Sequence, residues 1–244
     1  MALPALDSPR WHGTAAAFFY GIRSVTTTIL TAVLFATYIG IGALAHDTHF
    51  SLFWALLSTA LVWAGPAQII LLAALGSGAT VIQAALAVTV SAIRLFPMVV
   101  SVLPMLRLPE TRKRQLILPS HFTAVTLWVE CFRLLPQVPR ERRIAFVNGL
   151  GVGLVSTSLT ATLIGYHLAA NLPPLFGAAI LLLTPLAFLL STVRNCKTPA
   201  DVVALTLGLA LFPVVSMFNT GVDILISGVS AGTIAYGVHR WRRR

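Results

Sequence analysis

Apolar runs of about 20 residues recur along nearly the whole chain, separated only by short polar or basic stretches. About 20 helical residues cross the roughly 30 Å core of a bilayer, and lipid forces each spanning segment to satisfy its own backbone hydrogen bonds. The runs are continuous and rich in Leu, Ala and Val, whereas membrane barrel strands alternate over about 10 residues. The pattern therefore predicts an all-α fold, a polytopic membrane helical bundle.

We expect seven or eight membrane segments, at least one of them a discontinuous helix. Six spans are predicted at Ile22–Ala45, Ala79–Leu106, Ile144–Ala170, Leu175–Val193, Val202–Met217 and Gly221–Val238. A further apolar run, Ser51–Leu75, is interrupted in its middle by Gly65-Pro66. The run Leu116–Leu135 lies between two basic loops, so it either crosses the membrane or dips into it and returns.

Composition supports one transmembrane domain at residues 21–238, between a polar N-terminal segment at 1–20 and a basic tail at 239–244. Charged residues make up only 10% of the 244 residues and the mean hydropathy is +0.87, whereas a soluble domain carries about 25% charged residues. The net charge of +10 comes from loops and the tail. Positive-inside topology explains it, so we expect a cytoplasmic C-terminus and no nucleic-acid binding. The sequence does not decide on which side of the membrane the N-terminus lies, because two half-helices at the interruption would change the number of times that the chain crosses the membrane.

The interruption at Gly65-Pro66 is the first candidate for a binding site. Proline cannot continue the preceding helix, but it fits the first position of a new one. A helix that restarts at Pro66 inside the membrane would present free N–H groups and a positive dipole end, which suit a carboxylate. Gln68 lies in that first turn and could add side-chain donors. The alternative is a simple proline kink.

Two charged positions inside apolar runs are further candidates. Arg94 has apolar neighbours for about a dozen residues on each side, and a charge at that depth is functional by default. Its guanidinium could bind a substrate carboxylate through two hydrogen bonds; the alternative is a structural ion pair, for example with Glu130. Glu130 and Arg133 are one helical turn apart and could instead pair on one face.

The chain lacks the motifs of several enzyme classes. It has no GxxxxGK[ST] phosphate loop, no HExxH and no CxxC. We therefore expect no catalytic residues, no metal site and no cofactor, and transport would draw on an ion gradient, with a proton as one possible coupling ion, or on a partner.

The run Trp63-Ala64-Gly65-Pro66-Ala67-Gln68, the turn Gly76-Ser77-Gly78 and Arg94 together resemble the AzlC family, and the similarity extends over about Tyr20–Trp241. The resemblance implies the large subunit of a two-component exporter of branched-chain amino acids. It also implies a small hydrophobic membrane partner of the AzlD type.

The chain departs from the family pattern at two places. Ala92 stands where the family usually has an acidic residue or Asn, and Leu95 replaces a His. After the first basic loop the chain has Thr123-Ala124-Val125 where the family usually has Thr-Asp-Glu. Both changes remove carboxylates that could hold a substrate ammonium or a proton, and Glu130 is the candidate to replace them.

We therefore expect a secondary transporter of the bacterial inner membrane that exports small apolar amino acids. The predicted substrate-binding residues are Gly65, Pro66, Gln68, Arg94, Thr123 and Glu130. One alternative is a non-transporting membrane scaffold or assembly subunit, which the lost carboxylates favour. Another is a transporter of a different small substrate that bears a carboxylate. An intramembrane enzyme would need clustered Asp, His or Ser residues, and only scattered ones are present.

Overall fold

A computed structural model describes residues 3–171, 198–217 and 223–242, together with the isolated positions 186, 189, 193 and 196. These parts of the chain contain helices and no strand, which confirms the all-α prediction. The α-helices are α1 (Thr14–Val25), α2 (Ile29–Asp47), α3 (Leu52–Val62), α4 (Gly65–Gly76), α5 (Val81–Ala92), α6 (Phe96–Leu106), α7 (Ile117–Phe122), α8 (Val125–Leu134), α9 (Arg143–Asn171), α10 (Pro199–Ser216) and α11 (Asp223–Arg242). The chain divides into two compact units, residues 1–184 and 185–244.

Helix α9 is the centre of the first unit, and small residues let its neighbours approach closely. A Cβ atom at Gly149 would overlap the carbonyl oxygen of Phe18 in α1, and one at Gly165 would overlap that of Ile39 in α2. Later residues of α1 and α2 meet later residues of α9, so both helices run parallel to it. Small residues at such contacts are typical of membrane helices.

The first predicted span, Ile22–Ala45, is not one helix. Helix α1 ends at Val25 and α2 begins at Ile29. The hydroxyls of Thr26 and Thr27 donate to carbonyls of the last turn of α1, and such bonds compete with helix continuation. Helix α1 already begins at Thr14, within the segment 1–20.

Among the described residues, four helical segments are long and apolar enough to cross a membrane, at Ile29–Asp47, Val81–Leu106, Arg140–Asn171 and Pro199–Ser216. The second contains α5 and α6, joined by a 3₁₀ turn at Ile93–Leu95. Within 116–135, α7 and α8 have 6 and 10 residues, so neither alone spans a bilayer. The predicted span Leu175–Val193 lies outside the described residues, and the total of seven or eight segments stays a prediction.

The second unit contains α10 and α11, which pack on each other. Thr198 and Asp201 form a capping box that starts α10: each side chain accepts a hydrogen bond from the other residue's backbone N–H. The basic end of the chain is helical as far as Arg242.

Candidate functional site

The chain bends sharply between α3 and α4, at the place where the sequence predicts an interruption. Helix α3 ends at Val62, α4 begins at Gly65, and Pro66 lies in the first turn of α4. Trp63 has a φ of 24° and Ala64 is extended, with φ −153° and ψ 106°. A positive φ at a residue as large as tryptophan stores strain that only surrounding contacts maintain.

Contacts on both sides hold Trp63 in this conformation. Its side chain is buried and stacks on Tyr38 of α2, with 6.0 Å between ring centroids and 15° between planes. Its indole Nε1 donates a 2.8 Å hydrogen bond to the carbonyl of Phe122, at the end of α7. The bend is therefore fixed between α2 and the α7–α8 connection.

Gln68 reaches back from α4 to α3. Its Nε2 donates to the hydroxyls of Ser58 and Thr59 at 2.9 and 2.8 Å. In a straight helix, residues 58 and 68 would be about 15 Å apart along the axis, so these bonds exist only because the chain bends. The hydroxyl of Thr59 also lies 3.2 Å from that of Thr162 in α9. A polar cluster thus joins α3, α4 and α9 inside an apolar bundle.

The donors of this cluster are used within the protein. The hydroxyls of Ser58 and Thr59 donate to the carbonyl of Ala55, so each is an acceptor towards Gln68. Both N–H groups of the Gln68 amide are thereby engaged, and its Oε1 is buried without a hydrogen-bond partner in the part of the chain that the structure describes. Since the side chain is fully buried, this carbonyl is expensive to leave unpaired. The atom that Gln68 leaves available is therefore an acceptor, whereas the sequence suggested donors.

The backbone at the bend has a partial positive charge at the start of α4 and a partial negative charge at the end of α3. No side chain caps the start of α4, and Pro66 has no N–H, so the amides of Gly65 and Ala67 form its positive end. The last carbonyls of α3 form a negative end a few residues away. Anions are stabilised at helix N-termini and cations at C-termini. An amino acid zwitterion carries both groups, and a free amide carbonyl suits its ammonium.

Thr123 lies next to this bend. It is buried, its hydroxyl donates to the carbonyl of Pro119 at 2.7 Å, and its neighbour Phe122 accepts the bond from Trp63. Helix α8 begins just after it, with no side chain capping its N-terminus. Two helix starts without side-chain caps, those of α4 and α8, are therefore linked through one hydrogen bond.

Glu130 is engaged in a different set of contacts. Its Oε1 accepts a 2.6 Å bond from Thr28, the N-cap residue of α2, and its Oε2 accepts two bonds from Arg133, that from Nε at 2.9 Å. The pair with Arg133 is thus present, and the alternative pair with Arg94 is not. A buried carboxylate at the start of α2 also favours that helix end electrostatically. These contacts tie α2 to α8.

Arg94 lies on the surface of the first unit, in the 3₁₀ turn between α5 and α6. Its guanidinium has no ion pair and no hydrogen bond with any residue that the structure describes. The structure therefore does not join it to Gln68, which is fully buried.

The structure thus gathers Gly65, Pro66 and Gln68 at one bend with Thr123 beside it, and it gives Arg94 and Glu130 other surroundings. Sequence reasoning missed Ser58, Thr59 and Thr162. Their only sequence signal is that hydroxyl residues interrupt otherwise apolar helices. Among the described residues, no group of three or more His, Cys, Asp or Glu side chains could hold a metal ion.

Comparison with known proteins identifies a family. The family model described as "AzlC protein" matches residues 29–172, which include α2 to α9 and the whole bend. No curated protein and no solved structure matches the chain.

Proposed function

The chain belongs to the AzlC family, which is linked to membrane transport of amino acids, and from this premise we propose a specific transport function. The protein is a secondary transporter of the bacterial inner membrane that exports small apolar amino acids of the branched-chain type. It works as the large subunit of a two-component exporter with a small hydrophobic membrane subunit. Its C-terminus is cytoplasmic, and an ion gradient drives the export.

The observation that carries the substrate class is the unpaired Oε1 of Gln68 beside the bend. We assign the substrate ammonium to this oxygen and to the last carbonyls of α3. The substrate carboxylate binds the amides at the start of α4, Gly65 and Ala67, where the N-cap residue Ala64 has no side-chain acceptor that competes. Half-helices that meet at the centre of the membrane bind substrates in this way in many transporters.

The surroundings of the bend suit a small apolar side chain. Tyr38, Trp63 and Leu72 are buried near the polar cluster and supply apolar surface on α2, the bend and α4. Gln68 and Thr59 are fully buried, so a substrate reaches them only when the short helices α3 and α4 move. We place the alternating access of the transporter in this motion. The strained Trp63 is the residue whose backbone changes.

The experiment is an efflux screen in proteoliposomes loaded with each amino acid, with and without the small subunit. We expect leucine, isoleucine and valine to leave the vesicles. Competition experiments then test whether binding needs both charged groups of the substrate. The leucine analogue 4-methylpentanoate lacks the ammonium, and isopentylamine lacks the carboxylate. Neither should compete with leucine. Competition by 4-methylpentanoate at the affinity of leucine would instead favour the alternative of another carboxylate-bearing substrate.

A failure of all substrates would favour the scaffold alternative. The decisive result for that alternative is a stable complex with the small subunit that carries no flux of any amino acid. Flux of leucine above that of empty vesicles would exclude it.

A further inference from the structure

The segment formed by α5 and α6 presents most of its surface outwards. It has 26 residues, of which only Ala84, Val102 and Leu106 are buried. The end of α6 is fixed, because Ser101 accepts a 2.8 Å bond from Trp128 of α8. The remainder exposes six residues spaced three or four apart, which form one stripe: Ile82, Leu86, Thr89, Ile93, Phe96 and Val100. Such spacing is that of a helix–helix seam.

Arg94 lies beside this stripe at the centre of the segment. It is about 20 Å from Val81 and about 18 Å from Leu106 along the helix, and half of the bilayer core is about 15 Å. Lipid explains the exposed apolar residues, but it does not explain an exposed guanidinium at this depth. Arginine side chains escape to the headgroups near helix ends, and in the middle of a span they pair with another group.

A second copy of the chain does not offer that group. The sequence has seven acidic residues, and only Glu130 lies in the middle of a helix, where Thr28 and Arg133 occupy it. The other six lie in loops or at the ends of helices: Asp7, Asp47, Glu110, Glu141, Asp201 and Asp223. The carboxylate must come from a different chain.

We propose that the stripe and Arg94 form the docking surface for a membrane helix of a partner protein that carries an Asp or Glu near the middle of its span. The apolar stripe packs against the partner helix, and the guanidinium of Arg94 binds its carboxylate through two hydrogen bonds. This surface gives the small subunit of the proposed function a binding place, so the inference rests on that proposal. In this proposal Arg94 binds the partner helix and not the substrate.

Synthetic helices of about 20 residues provide a defined probe. Leucine-rich peptides with Glu, Gln or Leu at the centre are mixed with the purified full-length protein in lipid vesicles, and association is measured by energy transfer. We expect the Glu peptide to bind about tenfold more tightly than the other two, and Arg94→Leu to abolish this difference. Arg94→Glu should prefer a peptide with central Lys. Arg23→Leu is the matched control, because Arg23 is exposed at a helix end, and it should keep the preference.

Equal binding of the three peptides to the unmodified protein would overturn the proposal. In native membranes, a photoreactive residue at Phe96, which is 71% exposed, is compared with one at Phe19, which is 65% exposed on α1. The proposal is supported if the photoreactive residue at position 96, but not the one at position 19, forms an adduct with a smaller chain. This adduct should be absent in Arg94→Leu. An adduct with a second copy, or with lipid only, contradicts the proposal.

Leucine binding separates this proposal from the proposed function. Purified Arg94→Leu should bind leucine as the unmodified protein does. If it loses leucine binding while it stays folded, Arg94 is a substrate ligand, as the sequence alone predicted, and the docking role is wrong. If the unmodified protein binds no amino acid but keeps the peptide preference, the proposed function fails and the docking surface stands.

Discussion

Replacing Gln68 with methionine separates a binding role of this residue from a structural one. Methionine has nearly the same length and shape, so Gln68→Met leaves little cavity. It removes two donors, which bind Ser58 and Thr59 at 2.9 and 2.8 Å, and one acceptor, the unpaired Oε1. Losing the two donors lowers the free energy of unfolding, whereas losing the unpaired acceptor raises it.

The two effects on stability nearly cancel. Two lost hydrogen bonds cost about 1–3 kcal/mol in total, and removing a buried unpaired carbonyl returns about 1–3 kcal/mol. We therefore expect the melting temperature of Gln68→Met to stay near that of the unmodified protein. A hydrogen bond to a charged group contributes about 1.5–3 kcal/mol, so leucine affinity should fall about 10- to 150-fold.

The assay measures leucine binding by calorimetry on protein in nanodiscs, alongside thermal unfolding of the same samples. Gln137→Met is the control, because Gln137 is an exposed glutamine outside the bend, and it should change neither quantity. Leucine affinity within twofold of the unmodified protein in well-folded Gln68→Met would refute the assignment of Oε1 to the ammonium. A large loss of stability would show that the amide is mainly structural.

Three further predictions concern the framework of the site. Gly149→Ala should lower the melting temperature, since its Cβ would overlap backbone of α1, whereas Gly228→Ala, with no neighbour within 4 Å, should raise it slightly through helix propensity; equal effects would contradict the close packing of α9. Trp63→Phe keeps a ring but removes the indole donor, so it should cost about 1–3 kcal/mol in thermal or denaturant unfolding, and no change would contradict the role given to that bond. Arg133→Ala leaves a buried carboxylate with one partner and should cost about 1–3 kcal/mol. Adding Glu130→Gln to it should restore part of that loss, and strictly additive effects of the two changes would show that the pair is not coupled.

Local chemistry predicted the helical fold, and it indicated a break near Gly65-Pro66, where α3 and α4 are separate helices. That this break lies inside the membrane stays a prediction. A helix needs only its own backbone bonds, so apolar runs of spanning length already imply it. Proline at position 66 cannot follow a helical turn without losing a bond, and the structure ends α3 just before it. The break between α1 and α2 at residues 26–28 was not predicted, because three successive threonines flanked by apolar residues are also compatible with a continuous membrane-spanning helix.

The partners of Gln68 were beyond sequence reasoning because they are not local. Ser58 and Thr59 lie on the preceding helix, and Thr162, which contacts Thr59 and not Gln68, is 94 positions further along than Gln68. Without them, the amide of Gln68 counts as a donor as readily as an acceptor. Only the hydroxyl geometry assigns both N–H groups to the protein and leaves the oxygen available.

The surroundings of Arg94 show a limit specific to membrane proteins. In a soluble protein an arginine flanked by apolar residues indicates an interior position. In a membrane, both the lipid-facing and the interior surfaces of a helix are apolar. The sequence therefore gives the depth of a residue along its membrane span, but it does not tell whether the side chain faces lipid or the protein interior. Arg94 is deep along its segment and nevertheless exposed on the unit.

The most direct test of the binding site is a distance measurement on bound substrate. Leucine labelled with ¹⁵N at its ammonium is bound to protein labelled with ¹³C in glutamine side chains, and solid-state NMR measures the coupling between them. A direct hydrogen bond places the nitrogen about 4 Å from Cδ of Gln68, and the coupling should vanish in Gln68→Met. Saturating leucine with no coupling to Gln68 would contradict the site at the bend.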